Sequence, residues 1–402
     1  MILMRTLSAS LICLFLFQVS MAQSSWNQLN DFAGEGRHHP VLFTIRDSVY
    51  LTTGLLESDR LSADFYKYDI ANDTWIKKDT FPAQPRSYAV GLTYQDKGYV
   101  GFGAGEDDYL KDLWEFDAKT QQWTQLADCP APGRAHPAFC ALNDKIYMGL
   151  GNNQNGNRDD WWEYNISTDE WLPKAKFPGE VRHHPFYFTI GEFVYVGLGH
   201  GNGIFKDFYR YDSENDSWTR VADIPSYGRV AGTCLSYNGV GFVMAGQNDW
   251  HLTPDTNQVW RYIPNTDEWK EGPHIPTGGR WAPGSFIHKN KMYFGFGEAL
   301  DFSLAKDIWS INLEVLVGID KLENEIEDKE LIINQAGGVT AVKFYEAKDR
   351  KVLLYSINGK LLEEGYVSSH DYSFDHTGYK TGIYLLQIQE NGSTYYKKII
   401  LK

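Results

Sequence analysis

The sequence predicts an all-β chain: a six-bladed β-propeller closed by its N-terminal strand, then a small antiparallel β-sandwich. Three observations predict it. Tryptophans at 26, 75, 123, 171, 218 and 269 recur about every 48 residues. An arginine follows each by eleven residues (Arg37, Arg86, Arg134, Arg182, Arg229, Arg280), and a glycine follows each arginine by seventeen (Gly54, Gly103, Gly151, Gly199, Gly246, Gly297). Fixed spacings over this length are the mark of a repeat architecture. Within each unit, short alternating or apolar runs are separated by turns such as Asn143-Asp144-Lys145, which reads as four antiparallel strands. Such units cannot each bury two sheet faces alone, and radial packing solves that. Finally, the sixth unit has no tryptophan strand after Trp309, whereas Ser25 to Leu29 supplies a surplus strand at the other end. Pairing the two closes the ring and removes an exposed edge.

Taken in chain order, residues 1–22 read as a signal peptide. Arg5 precedes the apolar run Leu7–Val19, and Ser20 and Ala22 are the small residues of a cleavage site before Gln23. The run is too short for a comfortable membrane span. Residues 23–316 form the propeller. Residues 317–330, with Asp320, Glu323, Glu325, Glu327, Asp328 and Glu330, read as an acidic linker. Residues 331–402 hold β-rich runs such as Val339–Phe344 and Gly382–Ile388, with hairpin turns at Asn358-Gly359 and Asn391-Gly392. All thirteen tryptophans precede this tail, which marks it as a separate domain.

Charged residues are 22% and hydrophobic residues 43% of the 402, so a core is available and wholesale disorder is excluded. The net charge of −14 disfavours nucleic acid as a partner. Once Cys13 leaves with the signal, Cys129, Cys140 and Cys234 remain. No CxxC spacing occurs, so no disulfide scaffold is expected and Cys129 should not be bridged to Cys140.

A glycine-ended second strand, an aromatic-x-Tyr/Phe-Asp third strand (Tyr66-Lys67-Tyr68-Asp69, Trp114-Glu115-Phe116-Asp117) and a tryptophan about nine residues on resemble kelch repeats. The family's double glycine is mostly reduced to one, as at Thr53-Gly54 and Leu150-Gly151. The tail, through Leu354–Leu362, Thr381–Ile388 and Tyr396–Lys402, resembles the C-terminal sorting domain of type IX secretion cargo, although Ile333-Asn334-Gln335 stands where that family has Tyr-Pro-Asn-Pro. That resemblance implies contact with the secretion machinery and a secreted or cell-surface protein, after periplasmic transit.

Loop lengths vary only between the glycine and the third strand, on the face that also receives the arginines. Variable loops on a rigid scaffold usually carry binding. Trp250 and Trp281 are the expected stacking residues for a sugar, with Arg37, Arg182, Arg280, His39 and His184 supplying polar contacts. Tyr109, Asn153, Trp161, His200, Asn202, Phe205 and Phe302 fall in the same loops, and they could equally cover the blade tops. Arg37-His38-His39-Pro40, Arg134-Ala135-His136-Pro137 and Arg182-His183-His184-Pro185 are near-copies. His39, His136 and His184 could together bind zinc or copper. The favoured reading is nonetheless packing between blades, two residues into the innermost strand, with no metal or other cofactor. The arginines could likewise only bond backbone carbonyls of neighbouring blades.

The reading that results is a binding module for carbohydrate or a protein partner. A galactose-oxidase-like copper site is rejected, because only six blades exist and Cys140 and Cys234 occupy buried strand positions. The alternative is a sugar mutarotase or epimerase, resembling the six-bladed kelch sialic-acid mutarotases, with Glu35 and Glu180 as acid/base candidates.

Overall fold

The structure is a computed structural model that describes residues 26–248, 257–313, 332–336, 338–344, 347–356, 361–380, 382–390 and 393–401. The signal peptide, the acidic linker, Trp250 and His251 lie outside the described residues. The described chain is all-β. Six four-stranded antiparallel sheets repeat through its first part. Blade one runs Val41–Ile45, Ser48–Thr52, Phe65–Asp69 and Thr74–Lys77; blade four runs Phe186–Ile190, Phe193–Gly197, Phe208–Asp212 and Ser217–Val221. Blade six takes Gly284–His288, Lys291–Gly295 and Ile308–Asn312 from its own unit, and its fourth strand is Asn27–Gln28, with Asn27 opposite Ser310 and Gln28 opposite Trp309. The first strands lie against one another in chain order, and that of blade six lies against that of blade one.

The middles of the second strands are largely apolar and buried (Val194-Tyr195-Val196) because both of their faces are covered, one by each neighbouring blade. Six apolar clusters result, one at each blade interface. Val41, Phe43 and Tyr50 of blade one meet Val100 and Phe116 of blade two. At the junction of blades six and one, Val49, Leu51 and Tyr68 meet Phe286, Tyr293 and Phe296. On the face opposite the arginines, a turn aspartate does the tying. Asp169 accepts the Tyr164 hydroxyl at 2.7 Å within its blade and the Ala127 amide at 2.7 Å from the blade before, while Trp171 Nε1 donates to the Ala127 carbonyl at 2.9 Å. This set recurs with Tyr211, Asp216 and Trp218, and with Tyr262, Asp267 and Trp269. Trp171, Trp218 and Trp269 thus each make the same bond to the preceding blade, which accords with their fixed spacing.

The tail has a three-stranded sheet (Ile332–Ala336, Val339–Lys343, Asp371–Asp375) and a four-stranded sheet (Leu361–Val367, Arg350–Ser356, Gly382–Glu390, Ser393–Leu401). One apolar cluster joins Val342 and Phe374 of the first to Val352, Leu386 and Ile399 of the second, so the two sheets form a sandwich. No helix among the described residues is long and apolar enough to cross a membrane.

Trp26 anchors the N-terminal strand: it is buried at 6% exposure, edge-on to Phe294 of blade six at 6.3 Å. Trp26→Ala should therefore cost about 3–5 kcal/mol, the usual range for emptying a buried indole. Urea unfolding would read it, and a loss below about 1 kcal/mol would show that the strand does not hold blade six.

Candidate functional site

The connection entering each blade delivers a buried arginine. Arg37 forks onto Asp64 at 2.6 and 2.8 Å, and Arg182 onto Asp207 at 2.6 and 3.0 Å. Arg86 and Arg134 bind Asp112 and Asp160 in the same bidentate way, and Arg280 reaches Asp307 at 3.0 Å. Each guanidinium also donates to the carbonyl sixteen residues on: Thr53, Phe102, Leu150, Leu198, Ala245 or Phe296. The aspartate lies two residues before the third-strand aromatic, and where that aromatic is tryptophan its indole N–H holds the carboxylate, as Trp114 does Asp112 at 2.8 Å. Blade five substitutes Gln258, which accepts from Arg229 and Trp260.

The glycines close the belt. Each glycine amide donates to the arginine carbonyl of the next blade, Gly54 to Arg86 at 3.0 Å through Gly246 to Arg280 at 3.0 Å, and Gly297 returns to Arg37 at 2.9 Å. This corner needs two left-handed residues in succession. Thr53 and Gly54 have φ of 62° and 104°, and Leu198 and Gly199 have 54° and 87°. A Cβ on Gly54 would lie 2.7 Å from the His38 carbonyl oxygen. The second position therefore requires glycine. The first tolerates a side chain at a cost of order 1–3 kcal/mol, which is why one glycine of the family's pair could be lost.

Two residues past each arginine the backbone is again left-handed. His39, Tyr88, His136, His184, Ala231 and Ala282 all have φ between 48° and 61°. Amides pass from blade to blade here too: His39 N to Ala282 O, His136 N to Tyr88 O, His184 N to His136 O, and Ala282 N to Ala231 O. This corrects the sequence reading, which put the histidines inside the innermost strands with side chains turned toward the interfaces. Those strands begin only at Val41, Ala138 and Phe186. The left-handed turn before them aims the side chains at the axis instead.

At the axis the three histidines meet. His39 Nε2 lies 2.9 Å from His184 Nε2, the rings of His136 and His184 are 3.4 Å apart, and those of His39 and His136 are 5.2 Å apart. One ring nitrogen from each lies within 4.8 Å of the others. His38, His183 and His200 extend the network through ring contacts of about 5 Å. Six of the eleven histidines are thereby gathered at one place. Tyr88 packs on His39 and His136, and Trp281 stands edge-on to His38 and His39, each at 4.7 Å. Burial, followed by the neighbouring His38 and His136, holds His39 well below the usual imidazole range, and burial pushes His38 down to about 4. Below the cluster, a cavity of about 200 Å³ runs between the first strands past Pro40, Tyr187 and Ser285, with no carboxylate in its lining.

The other expected site residues scatter. Arg37, Arg182 and Arg280, expected as polar contacts at the mouth, have side chains at most 7% exposed and engaged within their own blades. Trp161 is 1% exposed and belongs to the core between blades three and four. Asn153 is buried and bonds Gly133, Asn155 and Arg158. Phe205 covers Arg182 at 4.1 Å. Glu35 lines a groove on blade one; its bonds from Ser58 lower its pKa, against a smaller cost of burial. Glu180 is exposed at the rim. Neither lines the axial cavity. Sequence reasoning missed Glu298, directly after Gly297, which pairs through its backbone with Trp281 and whose carboxyl burial pushes upward. It also missed the belt aspartates, although their constant place two residues before the aromatic was visible.

Repeated four-stranded blades joined by this belt define a β-propeller. Residues 8–181 match the KLHDC2/KLHL20/DRC7 Kelch-repeats domain, and residues 334–402 match the secretion system C-terminal sorting domain. The chain therefore carries kelch repeats ahead of a type IX sorting domain, which points to export to the cell surface or beyond. The solved "Structure of YjhT" shares the fold, with a TM-score of 0.60 and 17% identity over 70% of this chain and 95% of that one. No curated protein matches the chain.

Two predictions follow from the belt. Gly54→Ala should cost more than about 2 kcal/mol, whereas Thr53→Gly should change stability by less than about 1 kcal/mol, because it relieves a strained backbone as it removes a buried methyl. Equilibrium denaturation of both variants tests the corner, and equal losses would refute it.

The second concerns acid. At Asp64 and Asp160 burial favours the neutral acid, but the bonds and charge of Arg37 and Arg134 outweigh it and lower the carboxyl below its ordinary 3.8. A depressed folded value gives stability that is present above about pH 4 and lost as pH falls through the folded value. Asp64→Asn and Asp160→Asn should each lose about 1–3 kcal/mol at pH 7. Each should also show a shallower fall in stability below pH 4 than the parent. An unchanged acid limb would refute the assignment.

Proposed function

We propose that the protein is an exported kelch propeller that works as a binding module, taking a carbohydrate or a protein partner on the arginine-belt face. One observation carries this reading. Six large apolar side chains of the described propeller are exposed, and four of them, Val181, Tyr227, Leu300 and Phe302, stand on the connections and variable loops of that face. The other two, Ile76 and Leu172, lie on outermost strands. Exposed apolar groups concentrated on one face support a contact surface, and Trp281 with its histidines supplies polar groups beside an aromatic ring, a combination suited to a sugar face.

The test is a glycan array, with immobilised surface proteins in parallel, probed with the full chain and with Tyr227→Ala/Phe302→Ala. The pair should lose tenfold or more in affinity, about 1.4 kcal/mol or greater, without a change in melting. Binding that survives the pair and disappears instead in Ile76→Asp/Leu172→Asp would place the interface elsewhere and overturn the reading.

Glu298 favours a second reading, acid–base exchange on a sugar of the mutarotase type. A carboxyl raised by burial, on the residue whose backbone pairs with Trp281, is the kind of group such chemistry requires. Anomeric exchange measured by NMR on any sugar that binds decides it. Turnover lost in Glu298→Gln with binding retained supports catalysis, and no exchange above the solvent rate leaves the binding module alone.

A further inference from the structure

We propose that His39, His136 and His184 form a three-nitrogen binding site for a divalent transition-metal ion of the zinc–cobalt–copper group on the propeller axis. The argument starts from the repeat. The position two residues past the arginine has the same left-handed backbone in all six blades, and alanine fills it in blades five and six. The fold therefore has no need of histidine there; the backbone bonds that join the blades are made equally by Ala282. A residue required for packing would recur around the ring as the arginines do. Histidine occurs in blades one, three and four alone, and the two alanines leave the other side of the axis open, so the imidazoles converge.

The geometry suits a metal. Tetrahedral zinc with bonds of about 2.0–2.1 Å sets ligand nitrogens roughly 3.4 Å apart. The nitrogens here span from 2.9 Å between His39 and His184 to at most 4.8 Å across the set. Two of the three outer nitrogens are held in the manner of metal-binding histidines, whose second N–H is usually fixed by a neighbour. His136 Nδ1 donates to Asn152 Oδ1 at 3.0 Å, which directs the lone pair of that ring to Nε2, and His39 Nδ1 bonds His38 Nδ1 at 2.7 Å. Imidazole donors without a carboxylate select borderline metals over calcium or magnesium. Three protein ligands also leave one coordination position for water or a ligand atom, as in open zinc sites.

The test uses the full chain without an affinity tag, stripped with chelator and titrated with cobalt(II), whose visible absorption reports tetrahedral coordination. One equivalent should bind with intense visible bands, raise the melting temperature, and be displaced by zinc. His184→Ala and His39→Ala should lose the bands and the metal-induced shift, while His274→Ala, on an outer loop, should keep both. No one-equivalent binding in the parent, or bands that persist in His184→Ala, would overturn the proposal. So would a metal-free His184→Ala that melts well below the metal-free parent, since that outcome would mark the histidines as packing residues.

Discussion

Everything in the ring hangs on one backbone corner, the pair of left-handed residues that ends each second strand. The corner turns the glycine amide outward so that it meets the arginine carbonyl of the next blade. It also exposes the carbonyl of the preceding residue to the guanidinium of its own blade. The arginine is thus fixed by its side chain in one blade and used by its backbone to hold the previous one. In four blades an aspartate forks onto the buried charge, and in three of these an indole or a hydroxyl orients that aspartate. Removing any member leaves another polar group buried and unmatched, so the unit is cooperative within a blade and between blades.

Because this belt carries the joining of the blades, the side chains just inside it are released from structural duty. Tyrosine, histidine and alanine share one backbone conformation there, and only the chemistry they place on the axis differs. The same separation appears at the rim, where Trp281 and Glu298 occupy paired positions that are Ser87 and Ala104 in blade two. A symmetric frame thereby presents an asymmetric mouth, with imidazoles on one side, a carboxyl and an indole on another, and apolar loop residues around them.

Much of this was legible in the sequence. Constant spacings gave the strands, the glycine corner and the burial of the second strands, because each follows from local chemistry repeated in every copy. The roles of the arginines were harder to read, since a guanidinium at the end of a connection fits a ligand contact and a buried tie equally well. The aspartate partners decide between the two, and they stand 25 to 27 residues further on. The histidine cluster depended on a feature that patterns do not show. Residues from three blades can meet only if the backbone before the strand is left-handed, and nothing in Arg-His-His-Pro announces a positive φ on histidine. Trp161 misled for the opposite reason. It is the first residue of a strand rather than the last of a loop, and one step of register moved it from surface to core.

The pairing of Asn27–Gln28 with Ile308–Asn312 also fixes where the chain enters and leaves the ring. The third strand of blade six ends beside the start of the second, and the N-terminal strand begins beside that same end. Entry and exit therefore sit side by side on the face opposite the arginines. The chain ends of the ring thus leave from the face opposite the histidine mouth, and nothing joined through them has to cross that mouth.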